Sequence, residues 1–193
     1  MGHRFPNSSR RLLVLRALLG AAALPVSFAA VAGFNFFTSE YTASRDELQT
    51  QIAKHFPVQK RYADIFTVSL SDPQLGLDAA ANRAAITAAL TINSPLLRPS
   101  TVQGVVSVSS ALKYDAASRA LRLDQPQAER LELQGVTGRD AQRLQQIGAV
   151  VAQELLRDQA LRTFTTEELT VGRKTYEIGA ITVQNDGITV ELK

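Results

Sequence analysis

Residues Gly138 to Phe164, GRDAQRLQQIGAVVAQELLRDQALRTF, decide how the rest of the chain is read. The stretch has no proline, and its only internal glycine is Gly148. Leu144, Ile147, Val151 and Leu155 recur at steps of three and four, which puts them on one face of a helix. Arg143, Gln146, Gln153, Arg157 and Asp158 fall mostly elsewhere and read as the solvated side. The spacing predicts one long helix, roughly 35 Å from end to end at the α-helical rise. The segments around it read as strands, so the expected core is a long helix against a sheet.

Working back toward the N-terminus, the period changes from helical to two. Phe66, Val68 and Leu70 alternate with Thr67, Ser69 and Ser71, and Leu75 and Leu77 continue after Asp72-Pro73. Ala84, Ile86, Ala88, Leu90 and Ile92 form a second apolar row. Val102, Gly104, Val106, Val108, Ser110 and Leu112 form a third. Leu121, Leu123, Leu131 and Leu133 follow around Pro126. Asn93-Ser94-Pro95, Arg98-Pro99-Ser100 and Asp115-Ala116-Ala117-Ser118 punctuate the rows as turns. One apolar face per strand is the pattern of an antiparallel sheet that covers a core on one side.

A short helix precedes the strands. Ser44 and Glu47 fit a capping box, Leu48, Ile52 and Phe56 share a face, and Pro57 marks the end. After the long helix, Thr166 to Leu169 reads as a helical turn. Ile178 to Gln184 and Ile188 to Leu192 flank Asn185-Asp186-Gly187, a strong hairpin signal. Strand runs with segregated helices give an α+β class. The expected architecture is a strongly curved antiparallel sheet wrapped around the long helix, with a short N-terminal helix and a C-terminal hairpin.

Residues 1–32 read as a targeting segment. Arg4, Arg10, Arg11 and Arg16 stand there with no acid, an apolar run follows from Leu12, and Ala30-Val31-Ala32 offers small residues at cleavage spacing. Ser9-Arg10-Arg11-Leu12-Leu13 is similar to a twin-arginine export motif. The alternative is an uncleaved inner-membrane anchor through residues 17–37, which carry no charge. Either reading exports the domain, because the arginines stay inside. Residues 33–40 are a linker or a first short strand, and 41–193 form a single domain.

Composition excludes several classes of function. The formal charge of +3 and pI near 9.4 suggest nucleic acid, but the four arginines of the targeting segment account for all of that surplus. The remaining domain is slightly acidic and lacks a basic footprint for phosphates. With 0 cysteines there are no disulfides, thiolate metal sites, cysteine nucleophiles or lipidated cysteine. His55, the one histidine outside the targeting segment, has no Gly-x-Ser-x-Gly elbow to serve. Asp46-Glu47 and Glu167-Glu168 read as charges at helix N-termini rather than as acid/base dyads. Gly135-Val136-Thr137-Gly138 has no lysine at Walker spacing. No catalytic constellation, cofactor motif or metal-ligand spacing emerges, so a non-enzymatic protein is expected.

Tyr41-Thr42 with Glu47-Leu48 and Ile52-Ala53-Lys54, then Phe56-Pro57, resemble the opening of the YceB-like bacterial envelope proteins. The long helix and the hairpin over Ile181 to Leu192 fall where that family would have them, so the resemblance spans about residues 41–192. It implies a domain similar to the tubular lipid-binding fold, in which a curved sheet wraps a long helix and leaves an apolar groove. It brings no enzyme activity. Many members look like lipoproteins with a lipidated cysteine. This chain has none, which points to a soluble periplasmic or membrane-anchored form.

Small side chains recur on the facing rows (Ala84, Ala88, Gly104, Ser110, Gly148 and Ala152), and tryptophan is absent. Two interiors fit that pattern. One is a groove for a lipid or fatty-acid-like ligand, with Ile86, Leu90, Val106, Val108, Leu112, Ile147, Val151 and Leu155 as its candidate lining. The other is a filled core, reached by drawing the helix closer, in a protein-interaction or scaffold module.

Overall fold

A computed structural model describes residues 33–35, 39–62, 64–157, 159–171 and 173–193. In chain order the elements are β1 (Gly33–Asn35), β2 (Glu40–Ser44), α1 (Arg45–Ala53), β3 (Val58–Tyr62), β4 (Phe66–Asp78) and β5 (Arg83–Asn93). Next come β6 (Thr101–Asp115), β7 (Ala120–Leu133), α2 (Gly138–Arg157), β8 (Ala160–Thr163), β9 (Thr170–Val171) and β10 (Lys174–Thr175). The hairpin β11 (Ile178–Val183) and β12 (Gly187–Leu192) closes the series. The targeting segment lies outside the described residues, as does the 17–37 anchor stretch apart from Gly33–Asn35. Among the described residues, no helix is long and apolar enough to cross a membrane.

The frame is a curled six-stranded antiparallel sheet in the order β3-β4-β5-β6-β7-β8. The alternating rows of the sequence become its buried face. Ala84, Ile86, Ala88, Leu90 and Ile92 on β5 stand beside Val102, Gly104, Val106, Val108 and Ser110 on β6, with Leu121 and Leu123 on β7. Register shifts interrupt the β4–β5 pairing between Ser71 and Gln74, and the β6–β7 pairing between Ser107 and Ala111. Such irregularities bend a strand and increase its twist, which curls the sheet. Buried Ser110 sits in the second of these, and its hydroxyl donates to the Asp124 carbonyl at 2.6 Å.

Gly104 is fixed by crowding: a Cβ there would stand 2.1 Å from the Glu132 carbonyl oxygen. Gly148 plays a similar part on the helix. A Cβ at Gly148 would meet Leu131 Cδ1 at 3.0 Å and Leu90 Cδ2 at 3.5 Å, so α2 lies directly on the sheet at that point.

A second sheet, in the order β1-β2-β12-β11, closes one end of the molecule. Asn82, in the β4–β5 turn at φ 51°, pins it: Oδ1 accepts the Val183 N–H at 2.7 Å and Nδ2 donates to the Ile181 carbonyl at 3.3 Å. The Tyr41 ring meets Phe164 edge-on at 5.4 Å, within one hydrophobic core that spans both sheets.

Sheet dominates the chain, so α+β describes it only loosely. Ser44 caps α1, its hydroxyl accepting the Glu47 N–H at 3.3 Å, as the capping box predicts. The second helix differs from expectation at its C-terminus. Instead of running to Phe164 it stops at Arg157, and Ala160–Thr163 becomes the edge strand β8. Leu161 is fully buried there, and Arg162 is fixed by partners on other elements. Tertiary contacts thus override a stretch of good helix formers. The buried face of α2 is also turned. It consists of Leu144, Gly148, Val151, Ala152 and Leu156, because the small residues let the backbone approach closely.

Candidate functional site

The eight residues expected to line a groove separate into two groups. Ile86, Leu90, Val106, Val108 and Val151 are buried in the common core. Leu112 and Leu155 are half-buried against it. Ile147 is 47% exposed. Of the eight, Leu90 stands beside Gly148, 3.5 Å from where a Cβ there would lie, so helix and sheet are in contact at that point. None of the eight lines the open clefts around Lys113 and Arg157, around Ile65 and Ser94, or around Phe56 and Pro73. Two of these clefts, about 730 and 530 Å³, share Lys113 and Arg157 and carry charged side chains in their lining. Lys113 pairs with Asp124 and Arg122 with Asp115, each at 3.4 Å, so their charge is largely compensated.

The open flank of α2 is the more informative surface. Ile147, Val150 and Glu154 follow at steps of three and four, so they form one stripe beside the buried face. Val150 is 63% exposed although the next residue, Val151, is in the core. At the C-terminal end of the stripe, Glu154 reaches the edge strand β3. Its Oε1 takes the Lys60 ammonium at 2.5 Å and its Oε2 accepts the Tyr62 hydroxyl at 3.0 Å. Lys60 also stands 5.4 Å from the centre of the Tyr62 ring.

Strand pairing places the β3 residues. Val58, Lys60 and Tyr62 sit opposite Leu70, Val68 and Phe66, and Leu70 and Val68 are core residues, so all three β3 side chains are on the concave face. Sequence reading missed this strand because VQKRY carries only two apolar residues. The α2–β3 seam thus has half-buried Val58, Tyr62 and Phe66 on the sheet side. Ile147 and Val150 are exposed on the helix stripe that ends at Glu154, whose contacts with Lys60 and Tyr62 join α2 to the edge strand.

Burial, and secondarily the Glu154 carboxylate that accepts its proton, pushes the Tyr62 phenol up to about 12. The hydrogen bonds from Lys60 and then Tyr62 hold the Glu154 carboxyl below the usual range. Both shifts describe a carboxylate seated in a two-donor cradle.

The remaining polar candidates have structural partners. His55 is exposed just past α1. Glu47, in the first turn of α1, pairs with Arg162 at 2.7 Å, and Glu168 pairs with the same guanidinium. Arg162 further donates to the Tyr41 hydroxyl at 2.8 Å, so one nearly buried cation joins β8, α1, β2 and the turn after Phe164. Glu168 and Thr165 cap each other reciprocally, the pattern expected of a helix N-terminus. Among the described residues no three His, Asp or Glu side chains gather as a metal site. No family model matches the chain, and no curated protein sequence matches it.

Proposed function

We propose that the domain is a non-enzymatic, exported envelope module that binds an amphiphile along the α2–β3 seam. The observation that carries this reading is the exposed pair Ile147 and Val150 on a helix that lies against a curled sheet. Large apolar side chains left open on the stripe that leads to the Glu154–Tyr62 contact form a surface that an acyl chain can cover. Each methylene withdrawn from water there contributes about 0.8 kcal/mol before ordering costs. A sheet that touches one helix from both β7 and β3 supports the likeness to the YceB-like and tubular lipid-binding domains. Under this reading the targeting segment delivers the domain to the periplasm, free or anchored through residues 17–37.

Native mass spectrometry of the protein purified from its own envelope tests the proposal. Fatty-acid or phospholipid adducts are expected, and uniformly empty protein counts against it. A second reading draws on the packed centre. Because Ile86, Leu90, Val106 and Val108 are already buried, the same open stripe suits a protein partner in a scaffold module. Binding of an envelope protein that is lost on Val150→Asp, with no lipid adduct, favours that alternative.

A further inference from the structure

The seam already holds a carboxylate. Glu154 presents one oxygen to the Lys60 ammonium and the other to the Tyr62 hydroxyl, at 2.5 and 3.0 Å. This is the geometry in which a cation and a phenol receive a singly charged oxyanion. The apolar side chains Ile147 and Val150 continue from that point along the same stripe of the helix. A charged head followed by an apolar run is the shape of an anionic amphiphile.

Resting on the amphiphile reading, we infer that Glu154 is an internal stand-in for the ligand's head group. The ligand is a monoanionic amphiphile of the fatty-acid class. Its carboxylate displaces Glu154 from Lys60 and Tyr62 while its chain lies along Ile147 and Val150. Charge balance favours this exchange. Besides Lys60, Arg157 acts on Glu154 electrostatically, so two cations face the one carboxylate. The exchange is also inexpensive. The Lys60 and Glu154 side chains are 43% and 46% exposed, so water screens the pair and holds it only weakly together. Displaced Glu154 returns to water without a buried-charge penalty.

Isothermal titration of the full chain separates this inference from the reading beneath it. The probes are dodecanoate and the neutral monododecanoylglycerol, each against wild type, Lys60→Met and Glu154→Gln. All three proteins are expected to fold alike by circular dichroism, since both positions are half-exposed. Wild type is expected to prefer the anion. Glu154→Gln removes the internal competitor and is expected to raise that preference about fivefold, and Lys60→Met is expected to abolish it. A preference that survives Lys60→Met, or Glu154→Gln weakening both probes equally, overturns the inference. Equal binding of the two probes by all three proteins overturns it too, yet leaves the amphiphile reading standing. No binding of either probe by any of the three overturns both.

Discussion

Glu154 Oε2 and Tyr62 Oη meet at 3.0 Å although 92 residues separate them in the chain. That contact crosses from the helix that packs chiefly on β7 to the opposite edge of the same sheet. It fixes how far the edge strand β3 comes round toward α2.

This contact has a pH window with two different ends. The Glu154 pKa is depressed in the folded state, so its contribution is complete above the ordinary carboxylate range and is lost as pH falls through the depressed value. Tyr62 is the reverse case. Its raised pKa gives a contribution present below about 10 and lost as pH climbs toward about 12. Carbon-13 NMR titration should show Tyr62 ionising near that value. In Glu154→Gln it should ionise earlier yet still above an ordinary tyrosine, because burial is the larger cause. An unchanged Tyr62 titration would show that the contact does not form.

Neighbouring valines on α2 should respond in opposite ways. Val151→Asp places a carboxylate in the packed core and is expected to cost several kcal/mol, enough to unfold a marginal domain. Val150→Asp, on the open flank, should change stability by no more than about 0.5 kcal/mol. Urea denaturation of the two variants measures the difference. Equal losses would mean that something covers Val150.

Gly104→Ala should be costly for so small a change. The new methyl would press on the Glu132 carbonyl where β6 pairs with β7, and backbone cannot swing aside as a side chain can. About 2–3 kcal/mol of destabilisation is expected, as for other overpacked sites. Thermal unfolding followed by circular dichroism reads it directly, and an unchanged midpoint would contradict the crowding.

Arg162→Met strands the carboxylates of Glu47 and Glu168 while keeping most of the side-chain volume. Loss of a cation that is 10% exposed should remove about 3 kcal/mol, somewhat tempered because both acids retain contact with water. Adding Glu47→Gln should restore part of that, since the cost lies in the uncompensated charge. If the double variant is less stable than the single one, the network is not electrostatic in origin.

The sequence announced the fold wherever one face of an element had an unbroken code. The rows on β4 to β7, the Ser44 cap and the Asp186-Gly187 turn all read directly. Strands β3 and β8 were silent. The first mixes Lys60 and Arg61 into its short run, and the second is written in residues that suit a helix. Their strand character comes from neighbours, β4 for one and β7 for the other, and local spacing cannot encode that. The same limit applied to the candidate site. Period alone grouped Ile147 and Leu155 with Val151, but the identities of Gly148 and Ala152 turned the helix onto its small side and left Ile147 outside. The Glu154 cradle was illegible because it pairs a wet helix position with an unrecognised strand.

The placement of β12 bears on how this chain can come to its native state. That strand lies between β2 and β11, and Val190 aligns with Tyr41 across nearly the full length of the domain. Until synthesis has passed Leu192, β2 has β1 beside it but lacks its β12 partner. The six-stranded sheet, whose neighbours follow one another in the chain, needs no such wait. Completion of the second sheet is therefore the step left to the end of the chain.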